Sequence, residues 1–161
     1  GLAGVPLEQG LAAAIIAIAI SLFLIPFVGK LADRIGRRPV LLFFSVGSML
    51  WAYPSFALLQ PGLTMFELAA LQTVAMVILT GYAAASAATM AEQFPAAVRV
   101  TGIGLPYAIS VTLFGGTAPY IVTWLGGSGR GDFVWIYIAL ICLVSSLTYF
   151  SLRETKGEAL A

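Results

Sequence analysis

The sequence predicts an all-α membrane protein, a polytopic bundle of transmembrane helices. Three observations carry that expectation. Of 161 residues, 60% are hydrophobic and only 9% are charged, against about 25% charge in a soluble domain. The mean hydropathy is +1.00. Five stretches are each long and apolar enough to cross a bilayer core, which takes about 20 residues of helix, and Glu67 is the only charged residue inside them. So little polar surface excludes a soluble enzyme, a nucleic-acid binder and a disordered chain. The hydrophobicity is continuous and does not alternate, which argues for helices and against an outer-membrane barrel.

The stretches follow in order. Residues 11–28 are almost purely aliphatic, with Pro26 near the end. Residues 40–59 carry Pro54, residues 63–91 are the longest run, and 102–125 and 133–152 complete the set. The connections between them are short, so neighbouring helices are expected to pack antiparallel. Charge in the connections sets the topology. Lys30, Arg34, Arg37, Arg38, Arg99, Arg153 and Lys156 fall on one side if the spans alternate, and Arg130 alone falls on the other. Seven basic residues against one put the first group, and the C-terminus, in the cytoplasm of an inner (plasma) membrane. Trp124 and Trp135 flank the outer connection 126–132, where an aromatic belt would sit; ordinary packing is the other reading. Residues 1–10 lack the basic region of a signal peptide. The start at Gly1 and the odd span count read as a cut inside a longer protein. There is no His, and Cys142 is the single cysteine. No internal disulfide, metal site or cofactor site is therefore expected.

Two stretches carry more than hydropathy. Residues 29–42 read GKLADRIGRRPVLL. Gly29 and Gly36 allow the positive-φ turns of a tight corner between helices. Asp33 suits a helix N-terminus. Arg34, Arg37 and Arg38 suit a carboxylate or lipid phosphates, and Pro39 suits the first turn of a helix. As a whole the stretch resembles the signature loop G-x-L-A-D-R-x-G-R-R of the major facilitator superfamily. Residues 91–125 read AEQFPAAVRVTGIGLPYAISVTLFGGTAPYIVTWL. The pattern E-x-F-P-x-x-V-R-x-T-G is similar to the corner before the eleventh helix in sugar porters and metabolite:proton symporters. The continuation G-x-x-x-P-Y and F-G-G-T-A-P-Y is most similar to the metabolite:proton symporters, carriers of proline/betaine, α-ketoglutarate, citrate and shikimate. The tail Arg153–Gly157 resembles the P-E-T-K-G end of helix twelve, with Arg153 in place of Pro. In that register the five spans are helices eight to twelve of the C-terminal half. Helix seven and the whole N-terminal half are the partners that the chain lacks.

The resemblance implies a secondary active transporter that moves a small polar metabolite (an organic acid, betaine, proline or similar) by alternating access, with the proton as coupling ion. It implies that Asp33 and Arg37 belong to a cytoplasmic latch between the halves, with Glu92 and Arg99 in a nearby charge network. Pro106, Gly115, Gly116 and Pro119 interrupt the fourth span, which fits a bendable, cavity-facing helix; Gly115 and Gly116 fit close helix packing equally well. Substrate-cavity candidates are Gln72 and Thr80 on the third span and Tyr107, Thr112 and Tyr120 on the fourth. Gln72 leads because a buried amide requires a partner. Glu67 falls near the outer interface, as an anchor or an outer gate more than a proton carrier. With no His, no Cys pair and no paired mid-span carboxylates, an enzyme is not expected. A sugar porter of the same superfamily and a truncated membrane protein without transport activity are the alternatives.

Overall fold

The computed structural model describes residues 6–60, 62–95 and 97–152. The signature tail Arg153–Gly157 lies outside the described residues. The described residues are mostly helical. α1 runs Leu7–Ile35, α2 Arg37–Leu58 and α3 Met65–Glu92. α4 (Arg99–Ser110) passes through a π-helical turn, Val111–Gly115, into α5 (Gly116–Gly127), and α6 (Val134–Ser151) follows a short 3-10 turn at Gly131–Phe133. Taking α4, the π turn and α5 as one rod, five helices among the described residues are long and apolar enough to cross a membrane.

The first corner differs from the expected loop over 29–39. α1 has 29 residues, about 43 Å at 1.5 Å per residue, and it continues through Gly29 to Ile35. Gly29 is therefore an ordinary helical residue and not a turn. The helix persists because Ala32 is buried against Val40, Leu41 and Ala85, contacts that an earlier stop would forfeit. The chain reverses at Gly36 alone, with φ +111°, a conformation that side-chain-bearing residues avoid. Its N–H bonds back to the Ala32 carbonyl at 2.9 Å. Pro39 sits in the first turn of α2, where its absent N–H costs nothing.

α3 starts on a capping box. The Thr64 hydroxyl accepts the Glu67 N–H at 3.3 Å, and the Glu67 carboxylate accepts the Thr64 N–H at 2.8 Å. Two orphan N–H groups are thereby satisfied reciprocally. Glu67 is thus a cap at the helix end.

Sequence neighbours are not always packing neighbours. α1 and α2 share a one-residue corner yet diverge, and α3 wedges between them, making its most extensive contacts with α1 and further ones with α2. α1 and α3 run parallel: Ala13 meets Leu68 and Ala69 near both starts, and Ala32 meets Ala85 near both ends. Ala13, Ala17 and Ser21 are buried at four-residue spacing along α1, the small-residue stripe by which helices in lipid approach closely. Gly81 does the same toward α2, where an added Cβ would lie 3.0 Å from the Val40 carbonyl oxygen. α2 also packs against α6, with Tyr53 and Trp135 edge to face, 5.3 Å between centroids. The α4–α5 rod has no buried residue along its length.

Candidate functional site

The end of α1, the start of α2 and the ends of α3 and α6 meet at one pole of the bundle, and Asp33, Arg34, Arg37, Arg38 and Glu92 gather there. Arg37, the first residue of α2, donates to Asp33 at 2.7 Å through Nη1 and to Glu92 at 3.1 Å through Nε. One guanidinium thus joins three helices. The two bonds differ in setting: Asp33 is 64% exposed, whereas Glu92 is 16% and Arg37 22% exposed. Asp33 therefore pairs across the Gly36 corner and does not cap α2, whose N-cap is Gly36 itself without a side-chain bond. Arg38 donates to the Phe150 carbonyl at 2.5 Å and lies over the Phe150 ring, 6.0 Å from its centroid. It thereby caps an orphan carbonyl at the C-terminus of α6, where positive charge is favoured. Arg34 sits in the last turn of α1, favourable for the same reason.

The corner 92–102 closes on itself. Arg99 Nε donates to the Phe94 carbonyl at 3.2 Å. The Phe94 ring lies on Gly102, so closely that an added Cβ would be 2.6 Å from a ring carbon. Phe94 and Gly102 therefore form a clasp at the root of the rod, and the signature's glycine is explained by ring contact. Along the rod, Pro106 lies within α4, Gly115 closes the π turn, Gly116 opens α5, and Pro119 lies in the first turn of α5. Pro119 has no N–H to offer the Gly115 carbonyl, and a slipped bonding pattern directly before it is a local answer to that loss. The Thr117 hydroxyl donates to the Leu113 carbonyl beside it.

The polar candidates do not form one group. Thr80 is buried and donates to the Val77 carbonyl of its own helix at 2.6 Å. Gln72 keeps a buried side-chain oxygen with no hydrogen-bond partner among the described residues, as does the Trp51 indole N–H. Thr112 lies exposed within the π turn, and Tyr120 is exposed on α5. Tyr107 lines two adjoining cavities between the rod, α3 and α6, of about 440 and 680 Å3. Tyr82 and Ser110 line both as well, and Pro106 the first. Sequence reasoning missed Tyr82 and Ser110 because only tertiary packing unites them. It also missed the Thr64–Glu67 box, which the T-x-x-E spacing signals.

A row of apolar helices held by small residues, with one arginine joining three of them at a charged pole, defines a polytopic α-helical membrane protein. The chain belongs to the major facilitator superfamily, whose family model matches residues 3–161. The α-ketoglutarate permease of Escherichia coli K12 is 32% identical over 157 residues, 96% of this chain and 36% of the permease. The ectoine/proline transporter of Corynebacterium glutamicum is 36% identical over 139 residues, 85% of this chain and 27% of that protein. The citrate-proton symporter of Klebsiella pneumoniae is 30% identical over 135 residues, 82% and 30% of the two chains. This chain thus spans about a third of the length of these relatives. No solved structure matches it significantly.

Proposed function

We propose that this chain is the helix eight to twelve segment of a secondary transporter that moves a small polar metabolite by alternating access with proton symport. The substrate is an organic acid, betaine, proline or a similar compound. One observation carries the reading: the likeness to permeases and symporters for such solutes runs along most of the chain, across both the 29–39 corner and the 92–102 corner. The register of those two corners supports the helix numbering. Helix seven and the N-terminal half would complete the cavity from the same polypeptide, in the inner membrane with the C-terminus in the cytoplasm. Asp33, Arg37 and Glu92 would then hold the cytoplasmic side closed while the cavity faces outward. Surface ion pairs contribute only about 0–1 kcal/mol each, a scale suited to states that must interconvert.

The test uses the full-length protein in proteoliposomes with an imposed inward proton gradient. Radiolabelled α-ketoglutarate, citrate, proline and glycine betaine are offered in turn. Concentrative uptake of at least one, abolished by a protonophore, is expected. Uptake of hexoses alone would move the protein to the sugar porters, and no uptake of any solute would overturn the reading.

A further inference from the structure

We infer that the groove between α2 and α3, at the pole opposite the charged one, binds a phospholipid with a primary ammonium headgroup, the ammonium on Glu67 and the start of one acyl chain between the helices. The inference does not depend on the transport reading.

α2 and α3 run antiparallel, and glycines set where they touch. An added Cβ at Gly47 would lie 3.2 Å from the Ile78 side chain, and one at Gly81 3.0 Å from the Val40 carbonyl oxygen. From there to the 59–64 connection neither helix has another glycine. Trp51 stands one turn beyond Gly47, and the helices part around a groove of about 340 Å3. Trp51 and Leu58 of α2 line it, with Glu67, Ala70, Leu71 and Val74 of α3. The Gly47–Ile78 contact fixes the register: Trp51 lies level with Val74, and Leu58 with Glu67. Seven residues separate those two levels, about 10 Å at 1.5 Å per residue. Glu67 therefore stands at the mouth, Trp51 near the inner end, and Gly47 against Ile78 forms the floor. Leu58, Ala70 and Val74 are exposed, so the groove also opens sideways.

The mouth carries both signs of charge. The Glu67 carboxylate accepts the Thr64 N–H and hydroxyl on Oε2 alone, and Oε1 keeps its acceptor capacity. α3 begins at the same place. Its capping box serves the N–H groups of Thr64 and Glu67, which leaves those of Met65 and Phe66 without an intrahelical partner. A carboxylate beside the positive end of a 28-residue helix matches a zwitterion: ammonium to Glu67, phosphate to the helix N–H groups. A primary ammonium also donates hydrogen bonds to Oε1, which a quaternary one cannot. A small soluble zwitterion would leave the apolar groove below it empty. The headgroup zone of a bilayer is about 5–8 Å thick on each side of the hydrocarbon core. A groove of about 10 Å thus takes the glycerol end and the first part of a chain, and the floor turns the remainder out into the bilayer.

The experiment places the full-length protein in nanodiscs of equimolar phosphatidylethanolamine, phosphatidylcholine and phosphatidylglycerol with identical acyl chains, then counts retained lipids by native mass spectrometry. Phosphatidylethanolamine should be retained over phosphatidylcholine about fivefold, the scale of one exposed charged contact. Glu67→Gln keeps the capping box, because Gln serves at that position too, and should bring the two lipids to equal retention. Ala70→Trp fills the groove and should abolish the selective adduct. Phosphatidylethanolamine with a diazirine early in one acyl chain should crosslink within residues 51–74 of the parent and not of Ala70→Trp. Equal retention of the three lipids by the parent, a preference for phosphatidylglycerol, selectivity that survives Glu67→Gln, or crosslinks confined to the charged pole would each overturn the inference.

Discussion

At the scale of residues, Arg37 is the joint of the charged pole. Its bond to Asp33 spans four residues and is legible in the sequence from that spacing alone. Its bond to Glu92 is not, because the partner lies 55 residues away and is brought close only when α3 fills the α1/α2 wedge. The two bonds should differ in weight. Asp33 is mostly exposed, so water screens its pair and Asp33→Asn should cost no more than about 1 kcal/mol. Glu92 and Arg37 are largely shielded, and hydrogen bonds to charged groups in such settings contribute about 1.5–3 kcal/mol. Thermal unfolding of the purified full-length protein should therefore rank the losses Arg37→Ala above Glu92→Gln above Asp33→Asn. Asp33→Asn as damaging as Arg37→Ala would show that the exposed pair, and not the bridge to α3, holds the pole.

At the scale of elements, the rod is attached chiefly at its root. The sequence showed its prolines and glycines, but not that the breaks take the form of a π turn within a continuous helix, nor that Gly102 matters through Phe94. Eight residues separate the two, and only the folded corner stacks one on the other. A Cβ at position 102 would stand 2.6 Å from the ring, inside any real carbon contact, so Gly102→Ala must displace Phe94. Overpacking of this kind costs about 1–3 kcal/mol. The expected result is faster proteolysis of the corner 92–102 in the single variant. Truncating the ring should relieve the clash, so Phe94→Ala with Gly102→Ala should be less damaged than the sum of the single changes, as residues in contact are non-additive. Additive losses would disprove the clasp.

At the scale of the whole molecule, hydropathy makes the number and type of the spans legible because lipid demands continuous apolar helix. It is silent on their order in space. The short 29–39 corner predicted antiparallel packing of its flanking helices, whereas α3 packs on α1 more than α2 does, since small residues at Ala13, Ala17 and Ser21 favour the closer approach. Orientation rests on the asymmetry of basic residues, and it has a direct consequence for the two faces. Val98 is exposed at the charged pole, and Ser128 is exposed in the turn at the opposite end of the rod. With the buried Cys142 replaced by Ala in the full-length protein, Ser128→Cys should react with a membrane-impermeant maleimide in intact cells. Val98→Cys should react only after permeabilisation. The contrast should be near complete, because the hydrocarbon core of about 30 Å separates the two sites. The reverse pattern would invert the topology and place the Asp33–Arg37–Glu92 junction outside, where it could not close a cytoplasmic gate. Labelling of both sites in intact cells would mean that the rod does not span the membrane.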